Sequence, residues 1–215
     1  MEKNYTAVIE EGVREVAKRN GEGSGRYYHG PKHTNMVMGC VWMLARMAGL
    51  SEHYILLLVI AAAWHDVEQS LGPGKNEQES GRLMGESMRR NGFTEAEIMI
   101  PQMAIEGTKV WFDGNGVMHQ EAEKMGLIEK LLADADLCNI GADAKDYLEM
   151  ATRLMREVCS NPVMGWDDVG KGWQNQVKFM TNRVFLTHDA QRFMDTHLER
   201  NLLLATSLAK GYMSK

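Results

Sequence analysis

Residues 55–66 of this 215-residue chain read ILLLVIAAAWHD, a continuous apolar run that ends on a histidine and an aspartate. Such a run, bounded by polar sequence, predicts a buried helix with the two polar residues at its carboxyl end. It is far shorter than the ~20 apolar residues that a membrane-spanning helix needs. We therefore expect the central helix of a soluble domain, with a polar site at one end of that helix.

The sequence on either side of this run is also helical in pattern, and strand signals are scarce. Pro31 is suited to begin a helix, Gly49 to end it, and Thr94 and Glu97 have the form of a reciprocal amino-terminal cap. The pattern predicts an all-α bundle. Its expected helices are one around Val8–Val16, residues 31–48, a run capped by Ser51 that reaches Trp64, 77–92, one from Thr94 that contains Pro101, one that carries Asp134, and 143–158, 173–186 and 190–208.

Three short segments carry residue types that bind metal ions. His33 follows a glycine-rich segment that precedes Pro31. His65 and Asp66 end the apolar run, and Asp134 lies in the apolar helical stretch LLADADL. Imidazole nitrogen and carboxylate oxygen together hold divalent cations, and a buried carboxylate needs a cation or a strong donor nearby. Each residue alone has an ordinary structural explanation, but the set indicates a metal site. Asp136, two positions after Asp134, is an alternative ligand.

These residues resemble the HD-domain metal-dependent phosphohydrolases, in particular the small single-domain branch of that superfamily. The resemblance extends over about residues 26–202 and implies the helical fold and the metal site of that superfamily. We therefore expect residues 1–215 to form one domain. The resemblance rests on the segments YHGPKHT (28–34), AAAWHDV (61–67), NEQES (76–80) and DADLCNIG (134–141), with Arg183 and the run ERNL (199–202).

The resemblance implies that His33, His65, Asp66 and Asp134 coordinate one divalent ion and that a water bound to it attacks phosphorus. A bound cation makes water a nucleophile at neutral pH and neutralises phosphate oxygens. Manganese, cobalt, nickel, magnesium, iron and zinc all suit a mixed nitrogen and oxygen shell. The implied enzyme hydrolyses a small phosphate ester, such as a nucleotide, and Asp66 helps to take the proton of the water.

Other candidate site residues lie near these segments. Glu77 follows a turn-rich loop and is a candidate for acid/base work, although a carboxylate in the first turn of a helix also stabilises the helix dipole. Glu68 is a weaker candidate for the base. Arg26 and Lys75 are the cations nearest in sequence, and such groups bind phosphate. His29 is the remaining histidine best placed to approach the pocket.

Two other classes of function stay open. A di-iron oxygenase on the same fold needs additional histidines between His65 and the final aspartate, and only His119 lies there. The second class is a non-catalytic protein that binds or senses a nucleotide, with the metal-binding residues present but no hydrolysis. Alarmone hydrolases carry an acidic pair shortly after the His-Asp pair, where this chain has Gln69 and Ser70, so that activity is disfavoured.

The composition indicates an intracellular globular protein. The chain is 44% hydrophobic with a formal net charge of −5, and the acidic balance argues against nucleic acid as a partner. Its three cysteines lack the spacing of a disulfide framework, and the amino-terminal sequence lacks the apolar core of a signal peptide. We expect a cytoplasmic protein that binds a small phosphorylated molecule and no membrane. A homodimer is compatible with its helical packing surfaces.

Overall fold

The computed structural model describes residues 3–114, 118–159, 164–181, 183 and 185–213. Within these ranges it is an all-α bundle with one short hairpin and two 3₁₀ turns, which confirms the predicted fold class. The elements are α1 (Tyr5–Asn20), α2 (Pro31–Met47), α3 (Glu52–Trp64), α4 (Lys75–Arg90), α5 (Glu95–Gly107), β1 (Val110–Phe112), β2 (Met118–Gln120), a 3₁₀ turn (Glu121–Lys124), α6 (Leu127–Asp136), a 3₁₀ turn (Cys138–Gly141), α7 (Ala144–Val158), α8 (Trp166–Met180) and α9 (His188–Met213).

Local signals in the sequence account for several helix ends. Pro31 is the first residue of α2, and Gly49, with a φ of 73°, follows its end. At the start of α5 the Thr94 N–H donates to the Glu97 carboxylate at 3.0 Å, and the Glu97 N–H donates to the Thr94 hydroxyl at 3.4 Å. Ser51 precedes α3 as expected, but its side chain makes no capping hydrogen bond. The residue types near these ends, rather than long-range packing, account for where the helices begin and end.

α3 is the central helix of the bundle. Its residues Ile60–Trp64 are all buried, and α1, α2, α4, α5 and α6 pack around it. A helix enclosed on most sides has no solvent face, which explains why its apolar residues are continuous rather than periodic. The Trp64 indole N–H donates to the Val8 carbonyl of α1 at 2.9 Å, so the largest side chain of α3 has a polar partner inside the core.

Two elements differ from the sequence prediction. α8 begins at Trp166 and ends at Met180, whereas the pattern predicted a helix over residues 173–186. Its amino-terminal signal is acidic, since the Asp168 carboxylate accepts the Gly165 N–H at 3.0 Å. β1 and β2 pair antiparallel, although the sequence predicted only helices. Strands of three residues are too short to show a periodic pattern.

The hydrophobic core runs through the whole bundle. One cluster of buried side chains extends from Val8 in α1 to Ala209 in α9. The amino end of α2 and the carboxyl ends of α3 and α6 meet beside this core, where the polar side chains that end α3 and α6 lie. Among the described residues, no helix combines the length and the apolar character needed to span a membrane.

The contact between α1 and α3 predicts the effect of adding one methyl group. A Cβ at Gly12 would lie 2.6 Å from Trp64 Nε1 and 2.9 Å from the Ala63 carbonyl oxygen, and both neighbours are held in the core. We expect Gly12→Ala to lower the free energy of unfolding by about 1–3 kcal/mol, measured by urea denaturation.

Gly39→Ala is the matched control, because a Cβ at Gly39 would meet no atom within 4 Å. Gly39 is an exposed residue within α2, so alanine there should raise the free energy of unfolding by roughly 0.5–1 kcal/mol. Equal effects of the two substitutions would contradict the packing that we describe for α1 against α3.

Candidate metal centre

Three helix ends bring two histidines and two carboxylates together. His33 lies in the first turn of α2, His65 and Asp66 directly follow α3, and Asp136 is the last residue of α6. One ligand atom from each of these four residues lies within 4.8 Å of the others. Within the described ranges this is the one group of three or more such side chains that could hold a metal ion.

The distances between the four atoms suit a single cation. His33 Nε2 lies 3.3 Å from Asp66 Oδ2 and 3.0 Å from Asp136 Oδ1, while His65 Nε2 lies 3.1 Å and 3.3 Å from the same two oxygens. The two Nε2 atoms are 3.4 Å apart. With metal–ligand bonds of ~2.1 Å, donor atoms lie ~3.0 Å apart at a right angle and ~3.4 Å apart at the tetrahedral angle. The four residues therefore fit a divalent ion.

Neighbouring groups hold these ligands in position. His65 Nδ1 lies 2.8 Å from the Ala62 carbonyl oxygen, which makes Nδ1 the donor and leaves Nε2 for a metal. The Gln69 side-chain amide donates to Asp66 Oδ1 at 2.8 Å. Asp66 Oδ2 is buried and has no hydrogen-bond partner. A buried carboxylate oxygen without a donor is costly, and a bound cation would remove that cost.

The electrostatics of the site without an ion are those of a tight ion-pair cluster. Burial opposes the imidazolium form of His65, but the Asp66 and Asp136 carboxylates outweigh it and raise the pKa of His65 well above its ordinary value. Burial likewise opposes charge on Asp136, yet its contacts with His33 and His65 hold the pKa of Asp136 below the usual range. A proton on His65 thus occupies the role that a metal cation would take.

Asp134 does not lie in this group, which corrects the expected ligand set. Its carboxylate accepts the Leu186 N–H at 2.6 Å, the Thr187 N–H at 2.8 Å and the Thr187 hydroxyl at 2.7 Å. Both oxygens are therefore used to fasten the segment before α9. The alternative, Asp136, is the carboxylate that joins the two histidines.

A polar cavity of ≈ 250 Å³ opens onto the metal-binding group. Its wall includes three of the four candidate ligands, and the remaining residues come from the α1–α2 and α3–α4 loops, from α4, from the end of α5 and from the start of the hairpin. The lining residues are His29, His65, Asp66, Gln69, Pro73, Asn76, Glu77, Thr108, Val110 and Asp136. A small molecule in this cavity would lie against His65, Asp66 and Asp136.

The other predicted site residues differ in whether they line this cavity. Glu77 lines the cavity, but its carboxylate also accepts the Gly74 N–H at 2.6 Å, so it serves as a cap of α4 as well. Lys75 is exposed and is not among the residues that line the cavity. Arg26 lies outside the cavity too, and its guanidinium donates to the Gln69 carbonyl at 2.5 Å. Of these three residues only Glu77 reaches the metal-site cavity.

His29 reaches the cavity and is held there by Glu157. Its Nδ1 lies 2.5 Å from Glu157 Oε1, and Glu157 Oε2 also accepts the backbone N–H groups of Tyr28 and His29, at 2.7 Å and 3.1 Å. Burial disfavours the charged ring, but Asp66 and Glu157 outweigh it and raise the pKa of His29. Sequence reasoning singled out His29 and missed Glu157, which is 128 positions away and carries no local signal.

Among the residues that the structure describes, no second group of metal-binding side chains forms around His119. Its ring stacks on Trp111 with centroids 4.4 Å apart, and Nδ1 lies 3.0 Å from the Glu123 carboxylate. Both contacts belong to the hairpin and the 3₁₀ turn after it. In the described part of the chain, His119 does not belong to a group of three or more metal-binding side chains.

Comparison with known proteins adds no family assignment. No protein-family model matches this sequence, and no curated protein matches it.

The different roles of Asp134 and Asp136 can be separated by substitution. We expect Asp136→Asn to weaken binding of a divalent ion by more than about 100-fold, measured by calorimetric titration of metal-free protein. Asp134→Asn should keep the metal stoichiometry but lower the free energy of unfolding by about 1–3 kcal/mol, because an amide nitrogen would face backbone N–H donors. An Asp134→Asn protein of normal stability that binds no ion would contradict this assignment.

Metal binding should also release a proton. Because Asp66 and Asp136 outweigh burial and raise the pKa of His65 well above its ordinary value, the metal-free site favours a proton on Nε2, which an ion must displace. Affinity should therefore rise with pH up to the pKa of His65 and level off above it. Calorimetry in buffers of different ionisation enthalpy should give about one proton released per ion near pH 7. Binding of the ion near pH 7 without release of a proton would contradict this explanation.

Proposed function

We propose that this protein is a metal-dependent phosphohydrolase with an HD-type site that cleaves a small phosphate ester. One observation carries the proposal: the four donor atoms converge beside an open polar cavity whose wall also holds an imidazole. The similarity of the motifs to HD-domain phosphohydrolases supports the same reaction class. The ligand set in the proposal is His33, His65, Asp66 and Asp136.

The site chemistry divides between the ion and the chain. A divalent ion, when bound, lowers the pKa of water and neutralises phosphate oxygens. The chain supplies orientation: Gln69 holds Oδ1 of Asp66 by a hydrogen bond, so the buried Oδ2 would be the oxygen that binds an ion, and the Asp66 carboxylate would help to take the proton of the water. Glu77, at the cavity wall, is the second carboxylate within reach of a water molecule, although its bond to the Gly74 N–H limits its movement.

His29 is the group best placed to protonate the leaving oxygen. Glu157 binds Nδ1, so the other ring nitrogen, Nε2, is available on the cavity side. The raised pKa keeps a larger fraction of the ring protonated near neutral pH, as a general acid requires. An imidazole oriented by a buried carboxylate is a recurrent arrangement for proton transfer. In the proposed reaction, Nε2 donates its proton to the departing alcohol.

The general-acid role predicts a dependence on the leaving group. His29→Asn keeps a side-chain donor near Glu157 but removes Nε2, so turnover of an alkyl phosphate should fall by roughly 10²–10⁴-fold. Hydrolysis of p-nitrophenyl phosphate should fall much less, because nitrophenolate leaves without a proton. Equal losses for both esters would show that His29 acts by supporting the site rather than as an acid.

The reaction class itself is tested with purified protein of measured metal content. We expect one ion per chain and phosphate release from nucleotides or phosphate esters when manganese, cobalt or magnesium is added. Asp66→Ala should lose both the ion and the activity. Full activity of that variant would refute the mechanism. Two irons per chain without phosphate release would indicate an oxygenase, and tight nucleotide binding without turnover a sensor.

A further inference from the structure

A second cavity, of ≈ 590 Å³, lies beside the metal-site cavity at the glycine-rich segment that joins α1 to α2. It is formed by the end of α1, this segment, the start of α2 and one residue of α7. Its lining residues are Asn20, Gly21, Glu22, Gly23, Gly25, Arg26, Tyr27, Gly30, Pro31, Lys32 and Arg153. The cavity is more than twice as large as the ≈ 250 Å³ space next to the ion site.

Most of the charged side chains that line this cavity are cationic. Arg26, Lys32 and Arg153 line it, against a single lining carboxylate, Glu22. In a chain with a formal net charge of −5, three cations from separate segments around one cavity stand out. Guanidinium and ammonium groups placed together in this way suit the oxygens of a phosphate group.

The present partners of these cations leave room for an anion. Lys32 Nζ lies 2.5 Å from the Glu149 carboxylate, and Arg153 lies 3.0 Å from it, so one carboxylate neutralises two cations. The side chains of Lys32 and Arg153 are 35% and 41% exposed, which allows them to turn toward a ligand. Arg26 pairs with Glu157 at 3.5 Å. An added anion would balance the excess positive charge on Lys32 and Arg153.

The backbone around the cavity is also open. Gly23 and Gly25 have φ angles of 84° and 81°, and a Cβ at either position would meet no atom within 4 Å. Glycine leaves no side chain at these two positions, so a ligand can approach the main chain closely there. The amino end of α2 borders the same space and, among the described residues, has no side-chain cap, which adds a favourable end for an anion.

The two cavities are lined by residues that are consecutive in the sequence. His29 lines the metal-site cavity and Gly30 lines the second cavity. Arg26 lines the second cavity and binds the carbonyl of Gln69, which lines the first. An extended ligand that passes this boundary would place one group near the ion and another among the three cations.

We propose that the cavity of Arg26, Lys32 and Arg153 is a phosphate-binding site separate from the metal centre. Its phosphate is either a second phosphate group of the substrate or a group of a separate ligand. That the phosphate belongs to the substrate rests on the proposed hydrolase function. The affinity of the cavity for phosphate does not depend on that function.

The binding test uses metal-free protein and inorganic pyrophosphate, because no metal ion can then hold the probe at the metal site. Calorimetry should show one pyrophosphate per chain for the wild-type protein. Lys32→Gln combined with Arg153→Gln should weaken binding about tenfold or more. The matched control, Arg82→Gln with Arg89→Gln, removes two ion-paired arginines from α4 and should bind as wild type does. Absence of binding, or equal binding by all three proteins, would overturn the proposal.

A third variant is expected to raise the affinity for pyrophosphate, which distinguishes an effect on the site from a general loss of folding. Glu149→Gln frees both Lys32 and Arg153 from their shared carboxylate, so pyrophosphate should bind more tightly than to the wild type. A variant that merely damages the fold would bind less. Weaker binding by a Glu149→Gln protein with a normal circular dichroism spectrum and melting temperature would overturn the proposal.

The two sources of the phosphate are separated with the metal-loaded protein. If the cavity holds part of the substrate, the Lys32 and Arg153 double variant should raise KM for an ester with a second phosphate group and leave p-nitrophenyl phosphate unaffected. If it holds a separate ligand, added pyrophosphate below metal-chelating levels should change the rate with p-nitrophenyl phosphate in the wild type but not in the double variant. Failure of all turnover would refute the hydrolase while pyrophosphate binding by the metal-free protein still tests the cavity.

Discussion

The structure depends on keeping two imidazoles and two carboxylates together beside a hydrophobic core. His33, His65, Asp66 and Asp136 come from three helix ends, and each is mostly or fully removed from water. Charges in such a place are tolerated only when they are paired, either with each other and a proton or with a metal ion. The packing of α2, α3 and α6 thus fixes the site, and the pairing within the site in turn makes that packing acceptable.

Much of this arrangement could be predicted from the sequence because it rests on local signals. The apolar run before His65 predicted the central helix, and Pro31, Gly49 and the Thr94 cap marked helix ends. The residue types also predicted a metal site. The start of α8 was predicted wrongly because its signal is an acidic first turn before a weakly apolar stretch. Asn161 and Pro162, which the sequence pattern indicates as the division between the predicted helices 143–158 and 173–186, lie outside the described residues.

The choice between Asp134 and Asp136 shows what local signals cannot decide. Two residues apart on a helix, their side chains point about 200° apart, so one can face the histidines while the other faces away. Which of them does so depends on how α6 is rotated in the bundle, and that rotation is set by packing with distant segments. Glu157 was missed for the same reason, since its contact with His29 exists only after α7 has packed.

The short helix α6 performs two tasks with two residues of one turn. Asp136 faces the histidines, and Asp134 fastens the segment before α9 through Leu186 and Thr187. Because a helix turns by about 100° per residue, one inserted or deleted residue ahead of them would rotate both carboxylates away from their partners together. The length of this helix is therefore far less free to change during evolution than its surface composition, and related chains should vary in length elsewhere.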